Sequence, residues 1–391
     1  MSSYTANSGT LVTLKTPRGD NVLKPSHQVC TDQASVPKYT YIQRSGALPS
    51  VWSGSETFVE FELPRELGVV DQLIVRFQVA VATASVVLPP TPFFCSRVEE
   101  YLGSDLLSTT YANDQYNETI GFMSPTEFAQ SFASLNTTSS YGNGTIATGT
   151  SYLYLPLYAS SFNTMNPCVA GFNATLKVRL YFPSSIIASG SGTISLTDVI
   201  LIARELKTSN INAVISGHKM GVVDYSMIVR ERHMENVSLT SGVVNPVLLR
   251  SLKNDSAGLL LYVTDQAPSN ATLKDRTAIT DYQLLDSTNN RITEIIRDEF
   301  AGVYTWTDAI DSAFPTANAN NKVIAIPFSA DFQQTADNGC DFGRFAFSTN
   351  EKLNITPSGT ASKTIYVTSY SYGHVVVKNG NHKIMMTSSS R

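Results

Sequence analysis

Charged residues are scarce in this sequence. Asp, Glu, Lys and Arg make up 15% of its 391 residues, well below the roughly 25% of an average soluble domain. The formal net charge is −4, so there is no overall basic field that could hold DNA or RNA. Aromatic residues reach 10% and β-branched residues are abundant, which argues against intrinsic disorder. The composition predicts a globular, Ser/Thr/Asn-rich protein with a preference for β structure.

Long hydrophobic runs and paired cysteines are also missing. The longest apolar stretch, 73–94, is interrupted by Arg76, Gln78 and three prolines, so it is no membrane helix. Residues 1–7 have neither the basic nor the apolar region of a signal peptide, so we expect synthesis in the host cell without one. We interpret the four widely spaced cysteines as unpaired thiols in a reducing compartment, with disulfides or a metal site as weaker alternatives. These are Cys30, Cys95, Cys168 and Cys340.

Eight Asn-x-Ser/Thr sequons are present. With 25 Asn in the chain and a high content of Ser and Thr, chance alone gives about five. We therefore attribute the sequons to composition rather than to glycosylation. They begin at Asn117, Asn136, Asn143, Asn173, Asn236, Asn254, Asn270 and Asn354.

Alternation of apolar and polar residues dominates the chain and predicts β-strands. The pattern is clearest at 176–182, where Leu176, Val178, Leu180 and Phe182 share one face. It recurs at 59–63 and 73–81. Further predicted strands cover 151–158, 194–206, 222–229, 258–264, 322–328 and 363–372. Gly/Pro/Asn/Ser-rich loops separate them, which indicates antiparallel sandwiches, and the long strands suggest a jelly roll.

Two short helices are predicted within loops. Ser124-Pro125-Thr126-Glu127 has the form of a capping box, with Phe128 and Phe132 on one face of the following helix. A second helix is expected from Arg291 to Phe300, where Ile292, Ile295 and Ile296 fit helical spacing.

The chain divides into two halves of similar size near residues 208–217. The halves echo each other: residues 154–159 resemble 325–330, and residues 98–101 resemble 279–282. Pro156 and Pro327 each lie within an apolar strand, which predicts an edge or a strand end. These matches favour two sandwiches of one type over one large sandwich.

No catalytic, cofactor-binding or metal-binding site is predicted. The five histidines form no HExxH or other ligand spacing, and the Gly-rich piece at 189–192 lacks the Lys-Ser/Thr of a P-loop. Asp281, Asp286 and Asp298 do not form an EF-hand series. Glu99 and Glu100 are adjacent, so on a strand they point to opposite faces. Glu60 and Glu62 share a face that we expect to be solvated or interfacial.

The order of these segments resembles the double jelly-roll major capsid proteins of icosahedral, tailless double-stranded DNA viruses, in the branch of large eukaryotic DNA viruses, virophages and polinton-like elements. The resemblance runs from about residue 36 to 386. Departures are Gly103-Ser104, where the large viruses have Gly-Gly, and the shortness of the chain. The segments that carry the resemblance are 94–107, 151–157 with 174–180, 196–201, 324–328, 339–347, 365–372 and 375–380.

This resemblance implies an all-β fold of two consecutive eight-stranded antiparallel jelly-roll β-sandwiches with short helices in loops. It divides the chain into an N-terminal arm (1–35), a first jelly roll (36–207), a linker (208–218), a second jelly roll (219–386) and a flexible tail (387–391). The long stretches 111–150 and 268–316 are then expected to form outer towers or clasps between subunits.

The function implied is that of a structural protein of the virion, not an enzyme. It would form a homotrimer, a pseudo-hexagonal capsomer that tiles the icosahedral capsid, without any cofactor. Its partners would be neighbouring capsomers, penton and minor capsid proteins, and an internal membrane reached by the arm; sequence-specific nucleic acid binding is not expected.

Two other functions remain open. A receptor- or glycan-binding β-sandwich, such as a spike or minor capsid protein, would use the aromatic rings of Tyr152, Tyr154 or Trp306. A β-sandwich enzyme acting on carbohydrate would need a pair of carboxylates whose separation no sequence shows.

Overall fold

The computed structural model describes residues 3–5, 11–13, 36–121, 143–157, 159–207, 211–238, 243–293, 296–297, 323–328, 345–347, 350–358 and 362–386. Antiparallel strands dominate these residues. In chain order the strands are β1 (Ser3–Thr5), β2 (Leu11–Thr13), β3 (Val36–Ser45), β4 (Thr57–Glu62), β5 (Val69–Ala82), β6 (Val86–Leu88), β7 (Arg97–Leu102), β8 (Asp105–Tyr111), β9 (Gly144–Ile146), β10 (Gly149–Pro156), β11 (Leu176–Phe182), β12 (Ser189–Gly190), β13 (Thr193–Lys207), β14 (Val222–Ser238), β15 (Asn245–Leu248), β16 (Ser256–Asp265), β17 (Ile279–Leu285), β18 (Ile296–Arg297), β19 (Val323–Pro327), β20 (Lys352–Pro357), β21 (Ser362–Lys378) and β22 (Asn381–Met386).

In the described part of the chain three α-helices connect strands: α1 (Ala112–Gly121), α2 (Ser161–Met165) and α3 (Ile211–Met220). Helix α2 shows why so short a helix forms here. The Ser160 side chain caps its start by accepting the Phe162 N–H at 3.1 Å, and Asn166 ends it with a left-handed φ of 46°. Two 3₁₀ turns, Thr91–Phe94 and Val169–Gly171, complete the helical structure of the described residues.

The first sandwich contains eight strands in the order β10-β5-β13-β3-β4-β11-β7-β8. Strand β3 pairs with β13 from Val36 to Gln43 and with β4 at Arg44 and Ser45, so it joins two four-stranded layers. The layers pack face to face, with the ring centroids of Phe77 on β5 and Phe182 on β11 6.4 Å apart. Strands β12, β6 and β9 form a small additional sheet.

The second sandwich repeats this topology. Its layers are β14-β21-β16-β19, with β22 beside β21, and β15-β20-β17-β18. With β6, β9, β12 and β22 set aside, one layer of each sandwich has the order first, eighth, third, sixth along the chain. The other layer has the order second, seventh, fourth, fifth. This is the jelly-roll arrangement, so the prediction of two consecutive eight-stranded antiparallel jelly rolls is confirmed.

The sequence echoes lie on equivalent strands of the two jelly rolls. Residues 98–101 belong to β7 and residues 279–282 to β17, the fourth strand of each sandwich. Pro156 and Pro327 are the last residues of β10 and β19, the sixth strands, which lie at the ends of their layers. A proline removes a ladder N–H and is tolerated there, so the prediction of an edge or strand end is confirmed.

The alternating patterns place their apolar residues inside. On β11, Leu176, Val178, Leu180 and Phe182 are fully buried, whereas the residues between them are only partly so. Strand β16 is different, because all its residues from Ser256 to Thr264 are buried and both of its faces are therefore covered. One face packs into the core of the second sandwich and the other meets the first half of the chain.

One predicted helix is wrong, and the stretches 111–150 and 268–316 are only partly loop. The predicted helix at 291–300 is not helical where it is described: the Ile292 N–H donates to Leu284 O at 2.9 Å, and Ile296 pairs with Tyr282 in the sheet. The stretch 268–316 contains strands β17 and β18. The stretch 111–150 begins with helix α1, whose residues 114–118 are buried rather than part of an outer tower. The predicted helix after Ser124 lies outside the described residues.

Candidate functional site at the junction of the two jelly rolls

Helix α1 of the first jelly roll lies against the outer face of the second. Asp114 and Glu118 are four residues apart and therefore share one face of the helix. Asp114 Oδ1 accepts hydrogen bonds from Tyr262 Oη at 3.0 Å and Thr368 Oγ1 at 2.9 Å. All four side chains are buried, so the first half of the chain supplies acidic acceptors to donors on the second.

Glu118 accepts three hydrogen bonds across this junction. Its carboxylate accepts two hydrogen bonds of 2.7 Å from the guanidinium of Arg230 on β14, and a third of 3.0 Å from Tyr370 Oη. Burial opposes the charge on Arg230, but the carboxylate of Glu118 outweighs it and raises the pKa of Arg230. A bidentate pair of this geometry fixes the orientation of the two side chains as well as balancing their charges.

Guanidinium groups and tyrosine rings alternate in a column beside α1. The Arg232 guanidinium lies 4.3 Å from the ring centroid of Tyr111 and 4.2 Å from that of Tyr366. Tyr366 stacks on Tyr262 at 4.9 Å, and Arg276 lies 5.1 Å beyond Tyr262. Tyr111 belongs to the first jelly roll and is 37% exposed, so its cation–π contact with Arg232 adds a partly solvated link between the two jelly rolls.

Arg276 reaches back to α1 from the second jelly roll. Its Nε–H donates to Asn117 Oδ1 at 3.2 Å and its Nη2 to Asn113 Oδ1 at 3.0 Å. Because none of these acceptors is a carboxylate, burial dominates and lowers the pKa of Arg276. Asn117 is a sequon residue with a fully buried side chain, so a glycan there is incompatible with this junction.

Glu100 on β7 is a further buried acid close to the junction. Its carboxyl accepts hydrogen bonds from Ser108 Oγ and from the Ser161 N–H, both at 2.8 Å, and from Ser160 Oγ. Burial is the largest influence on this group, and it raises the pKa of Glu100 despite these donors and the charge of Arg230.

A second contact zone surrounds helix α3. The buried His218 Nδ1 lies 2.7 Å from Val214 O, which can only accept, so Nδ1 carries a proton. Burial lowers the pKa of His218 and favours the neutral ring, whose Nε2 then accepts from Tyr225 Oη. Tyr225 Oη in turn accepts the Cys168 N–H at 3.0 Å. The space is tight, because a Cβ on Gly171 would lie 2.5 Å from His218 Cγ.

The β21–β22 turn also docks on the first jelly roll. Asn379 and Gly380 have left-handed φ values of 53° and 76°, which suit a tight hairpin turn. Asn173 of the first jelly roll donates its N–H to Gly380 O at 2.8 Å and its Nδ2 to Asn379 O at 3.1 Å. Asn173 is another sequon residue, and its amide is already used in this contact.

The hydrophobic core of the first jelly roll continues through this zone. Tyr225, Met227 and Val229 of β14 and Val375 and Val377 of β21 belong to the same buried cluster as the first sandwich. A large hydrophobic interface of this kind holds two domains as one body.

Two of the aromatic residues considered for glycan binding, Tyr152 and Tyr154, lie on the outer face of β10. Tyr152 on β10 is half-exposed, with the Arg76 guanidinium 5.5 Å from its ring centroid, and Tyr154 is partly buried two residues further along. Trp306 lies outside the described residues.

The carboxylates behave as the strand pattern predicts. Glu99 accepts from Tyr101 Oη at 2.6 Å on the outer face, whereas Glu100 points inward. Glu60 is paired with Arg179 Nε at 2.6 Å and Lys177 Nζ at 3.2 Å, and its pKa is lowered because these cations outweigh burial. This confirms that Glu99 and Glu100 lie on opposite faces, and that Glu60 belongs to an outer, ion-paired face.

Among the residues described, no three His, Cys, Asp or Glu side chains come together in a group that could hold a metal ion. The described histidines other than His218 lie beside polar groups instead: His374 Nδ1 is 3.2 Å from Asp224 and His382 Nε2 is 2.9 Å from Asp105. Cys95 and Cys168 form no disulfide and are buried. Within the described ranges, no helix is both long enough and apolar enough to cross a membrane.

Sequence reasoning did not find the residues of the junction. The i, i+4 spacing of Asp114 and Glu118 was visible, but their partners Tyr262, Arg230 and Tyr370 belong to the other half of the chain. Arg230 and Tyr370 lie on strands whose second face is rich in ordinary polar residues. For Tyr262 a signal was present, because the continuous apolar run at 258–263 is typical of a strand that is buried on both faces.

The strand order and the junction together define a double jelly roll whose halves form one body. Solved structures of major capsid proteins have this fold. The chain matches the PBCV-1 virus capsid over 90% of its length and 97% of that chain, with a TM-score of 0.66 and 11% identity. It matches the Faustovirus major capsid protein over 91% of both chains, at 0.57 and 9%. It matches the mavirus major capsid protein over 96% of both chains, at 0.51 and 13%.

No protein-family model and no curated protein matches the sequence. At such low identity the likeness concerns the fold. It shows that this chain has the double jelly-roll architecture of these viral major capsid proteins.

Proposed function

We propose that this protein is the major capsid protein of an icosahedral virus and has no enzymatic activity. The observation that carries the proposal is the repeated jelly-roll order, joined by a buried junction into one rigid body. The likeness to major capsid proteins over nine-tenths or more of both chains supports it. A rigid pair of lobes is a shape from which a shell can be tiled.

The self-association that this function requires is a homotrimer with six lobes. The low charge of the chain favours lateral contacts that bury few unpaired ions. Jelly rolls also leave few open sheet edges, which limits aggregation of an abundant protein. The trimers would meet neighbouring capsomers, penton proteins and minor capsid proteins in the virion.

The proposed domains are those drawn from the sequence: an arm at 1–35, jelly rolls at 36–207 and 219–386, a linker at 208–218 and a tail at 387–391. Helix α3 spans the end of the linker and the start of the second jelly roll. The arm would extend beneath neighbouring capsomers or towards an internal membrane. Deletion of residues 1–30 is expected to leave a folded trimer that assembles poorly into shells.

Light scattering coupled to size exclusion tests the proposal directly, followed by electron microscopy of the peak. We expect a particle of about three times 42.5 kDa with six lobes. A protein that stays monomeric up to high concentration and forms no lattice would contradict the proposal and favour a binding module. A glycan array with Tyr152→Ala as the comparison would then test that reading.

A further inference from the structure

One residue of helix α3, His218, connects three parts of the chain. Its ring is completely buried and lies between the ring of Phe172 in the first jelly roll, at 6.0 Å between centroids, and the ring of Tyr225 in the second, at 5.4 Å. Its backbone oxygen accepts the Gly380 N–H of the β21–β22 turn at 2.9 Å. His218 therefore contacts the first jelly roll, the first strand of the second jelly roll and its last hairpin at once.

The hydrogen bonds around this ring have a fixed direction as long as the ring is neutral. Nδ1–H of His218 donates to Val214 O, so the unprotonated Nε2 accepts the hydroxyl proton of Tyr225. The hydroxyl oxygen of Tyr225 accepts the Cys168 N–H in turn. A second proton on the ring makes Nε2 a donor, so the Tyr225 hydroxyl would have to turn its own proton away from the ring. Protonation therefore reverses the chain of hydrogen bonds.

Tight packing and burial also oppose a charged ring at this position. A Cβ on Gly171 would lie 2.5 Å from His218 Cγ, so the backbone of the 169–171 turn packs directly against the ring. Burial lowers the pKa of His218 from the ordinary value of 6.5, although the hydrogen bond to Val214 acts in the opposite direction. The packed helix thus excludes a proton that a released helix would take up.

A buried carboxylate lies at the other end of α3. Glu205 of β13 accepts the Gly68 N–H at 2.9 Å, and its Oε2 is 3.8 Å from Lys38 Nζ. A Cβ on Gly68 would be 3.0 Å from both Glu205 and Ile211, which places this carboxylate beside the first residue of the helix. His218 comes seven residues later, about 10 Å further along an α-helix. Glu205 therefore belongs to the start of α3 and is no direct counter-ion of the ring.

The other charged groups around α3 lie on outer faces. Asp224 of β14 points to the exposed face, where it is 3.2 Å from His374 of β21, and His382 of β22 is 2.9 Å from Asp105. A proton on His374 or His382 would strengthen a contact with a carboxylate, which is the opposite of its effect at His218. The remaining cations near the helix are exposed, and strand β1, which also contacts α3, has one titratable residue, Tyr4; the cations are Lys219, Lys378 and Lys383.

We propose that α3 is an acid-sensitive latch, in which one proton on His218 releases the helix and the β21–β22 turn from the first jelly roll. The latch is closed at neutral pH and opens in mildly acidic surroundings. The buried junction around α1 does not contain His218, so the release is local. The inference goes beyond the proposed function and does not depend on it, because every group of the latch belongs to one chain.

The direction of the pH effect follows from where the proton binds. The released helix takes up its proton near pH 6.5, whereas the closed state does so only at a lower pH. The latch is therefore fully stable above pH 6.5. Below that value the ratio of closed to open molecules falls by up to about ten-fold for each pH unit.

The two described cysteines provide a reporter and its control. Cys168 precedes the turn on which α3 packs, and the charge of Lys219 on the helix reaches its thiol. Cys95 is equally buried but follows the 3₁₀ turn Thr91–Phe94, elsewhere in the same core. Dithiodipyridine labels thiols in both neutral and acidic solution. Relative to the unfolded chain, we expect Cys168 to be labelled about ten-fold faster at about pH 5 than at about pH 7.5, and Cys95 to stay protected at both.

Two variants identify the histidine that is responsible. Glutamine keeps a hydrogen-bond acceptor near the position of Nε2 and takes up no proton, so His218→Gln is expected to keep Cys168 protected in acid. His382→Gln is the matched control, because it retains His218 and is expected to expose Cys168 as the wild type does. Acid-dependent labelling of Cys168 in His218→Gln, or equal labelling of Cys95 in the wild type, would overturn the latch.

A further measurement needs no variant and decides the question even if His218→Gln fails to fold. Exchange of the ring C2 hydrogen for deuterium, followed by mass spectrometry, reports the protonation of His218 in the wild-type protein. We expect His218 to take up its proton over the pH range in which Cys168 becomes reactive. A protonated His218 beside a protected Cys168 would contradict the proposal. Neither outcome changes the mass of the assembled protein, so the proposed function is tested separately.

Discussion

Arg230 and Glu118 are 112 positions apart and form a bidentate ion pair, with both hydrogen bonds at 2.7 Å. Their side chains are 6% and 3% exposed. Arg230 belongs to the first strand of the second jelly roll and Glu118 to a helix of the first. The pair therefore connects the two domains. Removing either partner would leave the other charge buried without a counter-ion.

Glu118→Gln is expected to destabilise the protein by about 3–5 kcal/mol, because Arg230 stays buried without its counter-ion. Urea unfolding followed by tryptophan fluorescence measures the loss. The double variant Glu118→Leu with Arg230→Met removes both charges together and is expected to be more stable than Glu118→Gln alone. A single variant within about 1 kcal/mol of the wild type would show that the pair is solvated and not a buried link.

Glu100 makes stability depend on pH. Its pKa in the folded protein is raised above the ordinary value of 4.5, so the native state holds this proton more tightly than the unfolded chain does. Glu100 therefore stabilises the folded state most at pH values below 4.5. This stabilisation is lost as the pH rises through the raised pKa of the folded protein. We expect the stability of the wild type relative to Glu100→Gln to fall from pH 4 to pH 8. A difference independent of pH would contradict the raised pKa.

The fold could be predicted from the sequence because apolar and polar residues alternate along most of its strands. Leu176–Phe182 was predicted to the residue, and the proline-terminated strands at Pro156 and Pro327 revealed the repeat. Helix α1 was missed, since its sequence ANDQYNETIG is rich in poor helix formers. It is held by Arg230 and Tyr370, the latter 252 positions away. Long-range partners of that kind leave no periodic signal.

The same reason explains the false helix at 291–300. Its isoleucines have helical spacing, but Ile292 packs on the core of the second jelly roll and the backbone there bonds to β17. Whether such a short apolar segment forms a helix or a strand depends on a neighbouring strand with free hydrogen-bonding groups. That neighbour cannot be inferred from the segment itself.

Cys95 and Cys168 are expected to resist alkylation in the native protein. Burial raises the pKa of Cys95, and burial above all raises the pKa of Cys168 to about 12. At pH 8 Cys168 is then almost entirely the unreactive thiol. Peptide mass spectrometry after brief iodoacetamide treatment would show both peptides unmodified in the native protein and modified in urea. Rapid native labelling of either would mean that its strand or turn is open.

Gly171→Ala tests the contact zone around α3. The added Cβ would lie 2.5 Å from Cγ of the buried His218, so the helix must shift at a cost of about 1–3 kcal/mol. Gly217→Ala is the matched control, because nothing lies within 4 Å of its added Cβ. Thermal unfolding of both variants measures the difference. Equal midpoints would show that α3 is not packed against this turn.

Val178→Asp tests the inward face of β11. Val178 is fully buried at the centre of a strand that pairs with β4 and β7, and it belongs to the hydrophobic core of the first jelly roll. An unpaired charge in a core is among the few substitutions that cost more than about 4 kcal/mol, so we expect no soluble trimer. Lys177→Asn is the control, because it removes only partly exposed ion pairs with Glu60 and Glu62 and costs about 1 kcal/mol or less. If Val178→Asp were soluble and trimeric, the alternation of β11 would have to be assigned to the opposite face, and the face-to-face packing of the first jelly roll would be wrong.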